Sequence, residues 1–305
     1  MNISAPQAYY IKLGEGGTWE ADCLNGGYMR VGFNEIPHEL CLANNWAKVK
    51  TLFKEKKKGT DTRYATELER FYTSSPEILW ITFSDRKLLW GFAEGKAYEV
   101  REDLGTYKQR KIKGGWRDKD IKGTALDIGR ISSRLTQVRG YMGTICEVKE
   151  LEYLCRKING EELGIVQNAK AGRENLLNAL VPLIQHLTWA DFEILVDMVF
   201  TAGGWRRIGA VGKTEKDIDL ELQQPVTREL VMVQVKSKCS PQTIRDISVN
   251  NLGKDQYKQI FVVTHSFDGK RPDGIDERIK IIDVERLAPL VLNAGLADWL
   301  IEKSK

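Results

Sequence analysis

The run GKTEKDIDLELQQPVTRELVMVQVKSK, Gly212 to Lys238, constrains this chain more than any other stretch. Ile218, Leu220 and Leu222 alternate with Asp219 and Glu221. After a turn, Val231, Val233 and Val235 alternate with Met232, Gln234 and Lys236. Alternation with a period of two is the signature of strands, so the stretch predicts a hairpin of two paired strands. Side chains two apart in a strand emerge on one side, which puts Gln234 and Lys236 together; pairing of the strands brings Asp219 to the same side. Hydrophobic packing alone does not call for an acid, an amide and a lysine on one such face.

The chemistry of that trio points to hydrolysis of a phosphodiester. Such a bond is a poor electrophile, and a hard cation that binds a non-bridging oxygen and acidifies a water overcomes this. Magnesium needs only one or two carboxylates, some neutral oxygens and waters. Asp219 is then the anionic ligand, the Gln234 side-chain oxygen and the Val235 backbone carbonyl are neutral ones, and Lys236 orients the attacking water. The plainer reading is an amphipathic hairpin whose polar face is solvated, and the motif alone leaves both open.

The order of the surrounding elements adds to the motif. Asp219 followed by Gln234-Val235-Lys236 resembles the acid and (D/E)xK signature of the restriction-endonuclease-like superfamily, and is most similar to its Mrr branch, where glutamine commonly holds the second acidic position. TWADFEILVDMVFTAGGW (Thr188 to Trp205) resembles that family's first helix, with Glu193 at its helical acid. IFVVTHSF (Ile260 to Phe267) and IKIIDVERLAPLV (Ile279 to Val291) resemble its last strand and closing element. The resemblance implies an α/β core of order αβββαβ and Mg²⁺-dependent cleavage of double-stranded DNA, with Mn²⁺ able to substitute and a 5′-phosphate left behind. It makes Asp219, Gln234, Lys236 and Glu193 the catalytic set. Cutting both strands takes two active sites, hence an expected homodimer. Lys213, Lys216, Lys238 and Arg245 flank the site as candidate contacts to the DNA backbone, or as solvated charge. The uncharged Gln234 departs from the two-carboxylate pattern and lowers the expected metal affinity.

IGAVGKT, Ile208 to Thr214, mimics the end of a phosphate-binding P-loop, but Arg207 stands where the first glycine is required. A strand, not a helix, is expected after it, so the nucleotide-binding reading is rejected.

With 305 residues the chain has room for two domains. Five cysteines without a CxxC pair (Cys23, Cys41, Cys146, Cys155, Cys239) suit a reducing compartment, and three scattered histidines argue against zinc. The opening residues have no basic-then-apolar signal pattern, and the expectation is a cytoplasmic protein. The net charge of +4 is modest, but lysines cluster between Lys48 and Lys58, and Lys108, Arg110, Lys111, Lys113 and Arg117 form a second basic run. Each run is either a solvated face or a set of phosphate contacts.

Upstream, YYIKL, YMRVGF and the hairpin ILWITFSDRKLLWGFAE (Ile78 to Glu94) predict a mostly β, α+β domain with helices near Trp46 to Lys58 and Ala65 to Tyr72. An opening strand, a loop with Gly14, Gly16, Gly17 and Trp19, and aromatic strands resemble the PUA-like superfamily, including EVE-type modified-base readers. That resemblance implies a barrel and a base pocket, for which Trp19, Trp80, Trp90 and Trp116 are candidates; the other reading of each tryptophan is core. The expected division is a reader at 1–125, a helical connector at 126–172 and a nuclease at 173–305. Together these give a modification-dependent DNA endonuclease acting on DNA with modified cytosine as a candidate mark. Its rivals are a catalytically degenerate DNA-binding protein and a repair or defence nuclease indifferent to modification.

Overall fold

The computed structural model of the chain describes residues 2–56, 61–102, 105–208 and 218–305. The chain forms two compact units, Met1–Leu163 and Gly164–Lys305.

The first unit holds β1 (Ala8–Ile11), α1 (Glu20–Gly26), β2 (Tyr28–Val31), α2 (His38–Leu42), α3 (Trp46–Lys56), α4 (Asp61–Thr73), β3 (Leu79–Ser84), β4 (Lys87–Glu102) and β5 (Gly105–Ile112). They are followed by α5 (Ser133–Thr136), β6 (Ile145–Glu147) and α6 (Leu151–Ile158). The expected hairpin is β3–β4, with Ser84 opposite Lys87. Its two turn residues, Asp85 and Arg86, both take positive φ, 46° and 61°, as a tight hairpin turn requires.

The six strands run in the order β2-β5-β4-β3-β1-β6, with β1 parallel to β3 and the other pairs antiparallel. Among the described residues the outer strands β2 and β6 do not pair with each other, so the expected barrel is corrected to an open sheet. The physical reason is that neither face has to be buried by closure. Val49 and Phe53 of α3 and Leu68 and Phe71 of α4 pack on one face with Ile11, Met29 and Trp80. Leu126, Leu135, Leu154 and Ile158 cover the other with Tyr10, Leu79, Ile81 and Trp90. Residues 126–163, read from the sequence as part of a connector, therefore contribute core to this unit.

Two cations of the second basic run point inward. The Lys108 ammonium is buried and donates to the carbonyl of Phe33 at 2.8 Å. Arg110, also buried, donates to the carbonyls of Gly95, Phe71 and Ser74 and to the Ser74 hydroxyl, closing the C-terminal end of α4. Burial pulls the pKa of both below the ordinary value. The reading of these two as phosphate contacts is thereby corrected, while Lys111, Lys113 and Arg117 are exposed. Lys48, Lys50 and Lys54 lie on the solvated face of α3, and Lys57 and Lys58 lie outside the described residues.

The second unit runs α7 (Gly164–His186), α8 (Trp189–Ala202), β7 (Arg206–Arg207), β8 (Leu220–Gln223), β9 (Leu230–Cys239), α9 (Pro241–Asn250), β10 (Tyr257–Phe267), β11 (Ile279–Ile282), α10 (Val284–Asn293) and α11 (Ala297–Lys303). Its sheet has the order β11-β10-β9-β8-β7. The β7–β8 and β8–β9 pairs are antiparallel and the β9–β10 and β10–β11 pairs parallel, a mixed sheet with helices on both faces. One face carries Leu220, Leu222, Val231, Val233 and Val235 against α7, α8 and α10; the other carries Met232, Ile260 and Val262 against Ile244 and Ile247 of α9. The predicted first strand, Trp205 to Val211, is seen as Arg206–Arg207, and residues 209–217 lie outside the described ones. Among the described residues no helix is long and apolar enough to cross a membrane.

Arg110→Met should lower unfolding stability by about 3 kcal/mol, because it orphans buried carbonyls that accept from a cation. Chemical denaturation measures this, and an unchanged midpoint would mean that Arg110 does not anchor the end of α4.

Candidate active site

Helix α8 begins as its sequence dictates. Thr188 caps it, its hydroxyl accepting from the Asp191 amide at 3.2 Å, and Asp191 in the first turn suits the positive end of the helix. Phe192, Leu195, Val196, Val199 and Phe200 bury one stripe on the sheet. Glu193 stands beside that stripe, half-buried.

The hairpin supplies the other half of the site. The regular β8–β9 ladder ends at Leu220 opposite Val233. Beyond it the contacts are irregular. The Asp219 amide donates to the Val233 carbonyl at 3.2 Å, and the Asp219 carboxylate accepts from the Val235 amide at 2.6 Å. Strands that part in this way leave their side chains at an opening instead of a continuous ladder. Lys236 reaches into it, with Nζ 4.0 Å from Oδ2 of Asp219. Gln234, two residues earlier on β9, is only 3% exposed.

Glu193 responds to this neighbourhood. Burial first, then the charge of Asp219, pushes its pKa above the ordinary glutamate value, Arg207 pulls it down and Asp197 pushes it up again. Asp219 and Glu193 are therefore like charges that act on each other, one just before β8 and the other on α8. Among the described residues no three His, Cys, Asp or Glu side chains assemble as a metal-ligand group. The carboxylates of Asp219 and Glu193 are hard oxygen donors of the kind magnesium takes, and one or two of them suffice for an ion that keeps most of its waters.

The structure thus brings Asp219 and Lys236 together; Glu193 lies on α8, near enough for the Asp219 charge to raise its pKa, and Gln234 is buried in β9. Val235 meets Asp219 through its N–H. Lys238, on the same strand, and Arg245, on α9, are exposed; Lys213 and Lys216 lie outside the described residues. Two residues that the sequence reading passed over belong here as well. Arg207 donates to the Asp219 carbonyl at 3.3 Å and stands 3.9 Å from the Asp197 carboxylate. Asp197 was legible in principle, since it follows Glu193 by four on α8 and so shares its face; Arg207 on a two-residue strand carried no such signal.

Residues 184–291 match the Mrr catalytic-domain family model (Mrr_cat, restriction endonuclease). The match covers 108 of the chain's 305 residues and contains Glu193, Arg207, Asp219, Gln234, Lys236, Lys238 and Arg245. The second unit accordingly carries a restriction-endonuclease-like nuclease domain, which implies DNA as substrate. No curated protein and no solved structure matches the chain.

The four tryptophans considered for a base pocket separate in the first unit. Trp80 and Trp90 are 0% and 1% exposed and belong to the two cores, which corrects their reading as pocket walls. Trp116 is half-buried, its indole N–H donating to the Tyr28 carbonyl at 3.0 Å. Trp19 alone lines a cavity of about 560 Å³, together with Phe33, Tyr64, Lys12, Glu15 and Met142.

The raised pKa of Glu193 has a stability consequence in the metal-free protein. The folded chain holds that proton to higher pH than the unfolded chain does, so folding is penalised once pH rises above the ordinary glutamate range. With a chelator present, Glu193→Gln should melt above the wild type at neutral pH. The gap should close as pH falls through the ordinary carboxylate range; a gap of opposite sign, or one independent of pH, would contradict the electrostatics.

Proposed function

We propose that this protein is a Mg²⁺-dependent DNA endonuclease of restriction type, acting as a homodimer on double-stranded DNA, whose first unit reads a modified base. The observation that carries the nuclease reading is the meeting of Asp219 and Lys236 at 4.0 Å where β8 and β9 part, inside the span that matches the restriction endonuclease family.

Asp219 and Glu193 supply the anionic donors for the cation, and the Gln234 side-chain oxygen and the Val235 carbonyl the neutral ones. A bound magnesium ion contributes Lewis-acid polarisation of the phosphodiester and an acidified water. Lys236 turns its ammonium from Asp219 toward the attacking water and offsets negative charge at the phosphorus centre. Lys238 and Arg245, with Lys213 and Lys216, hold the phosphate backbone, a contact that fixes register without reading sequence.

The base-reading half of the proposal rests on the cavity beside Trp19. Its volume lies within the ordinary range of about 300–1,000 Å³ for small-ligand sites, and its aromatic walls suit the stacking of a base turned out of the duplex. Phe33 takes a positive φ of 58°, a costly conformation for an aromatic residue, and its carbonyl is held by the buried Lys108 ammonium. Strain of this kind, over-determined by a buried cation, supports a wall kept in place for a ligand.

Purified protein should cut plasmid DNA with Mg²⁺ and not with a chelator, and Asp219→Ala and Lys236→Ala should abolish cutting. Unchanged cleavage in either variant removes the assigned site, and cleavage by neither wild type nor variants favours a degenerate DNA-binding protein.

Matched plasmids carrying cytosine, methylcytosine or hydroxymethylcytosine test the reader. Met142 lines the cavity yet is 82% exposed, so Met142→Trp should fill the opening without disturbing the core. The expected result is that wild type prefers one plasmid and Met142→Trp loses the preference. Equal cutting of all three by wild type would leave a nuclease indifferent to modification.

A further inference from the structure

Arg207 is a cation set among acids. On α8, Glu193 and Asp197 share a face; just before β8, Asp219 presents its carboxylate to Val235 and Lys236 and its carbonyl to Arg207. One nitrogen of the Arg207 guanidinium, Nη2, lies 3.3 Å from that carbonyl, and the other, Nη1, lies 3.9 Å from Oδ2 of Asp197. The same side chain therefore reaches both the helix that carries Glu193 and the main chain of Asp219, the two proposed metal-binding residues. Arg207 is itself fixed by the antiparallel pairing of β7 with β8, opposite Leu222. A planar guanidinium can make two such contacts in fixed directions, which an ammonium cannot.

We propose that Arg207 is a positioning residue of the cation site, tying α8 to Asp219 so that Glu193 and Asp219 stand at a fixed separation. This rests on the nuclease reading above and goes beyond it, because Arg207 touches neither the cation nor the phosphate in that reading. Its contact to Asp219 is through the main chain, which leaves both carboxylate oxygens to other partners.

Charge and positioning act on the cation in opposite directions here. A positive charge beside a cation site repels the cation, so by charge alone the removal of Arg207 tightens metal binding. If Arg207 instead holds the ligands in place, its removal weakens binding in spite of the lost repulsion. Groups that orient metal ligands typically carry about 10–100-fold in affinity.

The test is calorimetric titration of the full-length protein with Mn²⁺ in wild type, Arg207→Gln, Arg207→Lys and Asp219→Asn, with circular dichroism as the check on folding. Arg207→Gln should bind Mn²⁺ about tenfold or more weakly than wild type. Arg207→Lys, which keeps the charge and loses the fork, should also bind Mn²⁺ more weakly than wild type. Affinity in Arg207→Gln equal to or tighter than wild type overturns the proposal. Should that variant not fold, an unchanged affinity in Arg207→Lys overturns it equally. A wild type that binds Mn²⁺ no better than Asp219→Asn sinks the nuclease reading itself, and the Arg207 proposal with it.

Discussion

The bond from the Val235 amide to the Asp219 carboxylate, at 2.6 Å, marks where the sheet of the second unit stops being a sheet and becomes a site. Up to Leu220 and Val233 the two strands follow a regular ladder, and their alternate residues fill the core under α7, α8 and α10. One residue further the main chain of Asp219 turns to Val233 and Arg207, and its side chain occupies the neighbouring strand's donor. The opening that results holds the Asp219 carboxylate and the Lys236 ammonium. The residues of β8 and β9 that face α7, α8 and α10 are valine and leucine throughout the regular ladder.

Electrostatics and packing oppose each other there. Glu193 is partly desolvated by the helix–sheet interface and repelled by Asp219 and Asp197, while Arg207 and Lys236 offset part of that charge. An arrangement of this kind costs stability, and proteins retain such costs where a ligand repays them. The divalent cation proposed for this site would have the charge and the affinity for oxygen to offset it.

Much of this was legible in the residues. The alternation of Leu220 and Leu222, and of Val231, Val233 and Val235, gave the hairpin and its buried face directly. Thr188 and Ser240-Pro241 announced the starts of α8 and α9, and the Ser240 side chain indeed caps its helix through the Thr243 amide. What could not be read came from long-range packing. Lys108 and Arg110 sit on a strand whose charges look solvent-facing, yet both are drawn inward by carbonyls of Phe33, Phe71, Ser74 and Gly95, far away in the chain. Trp80 and Trp90 carry the same aromatic signature as Trp19; only the positions of α4 and of the segment around Leu154 decide that they are core. The open sheet, too, follows from helices covering both faces, which strand patterns alone do not disclose.

The central claim is that Glu193 and Asp219 hold a divalent cation between helix and hairpin. The most direct measurement is an anomalous difference map from crystals of the protein grown with Mn²⁺. The expected result is a manganese peak within ligand distance of the Asp219 and Glu193 carboxylates, with Lys236 beside it. Saturating Mn²⁺ with no density there, and Asp219 still closed on the Val235 amide and Lys236, would contradict it.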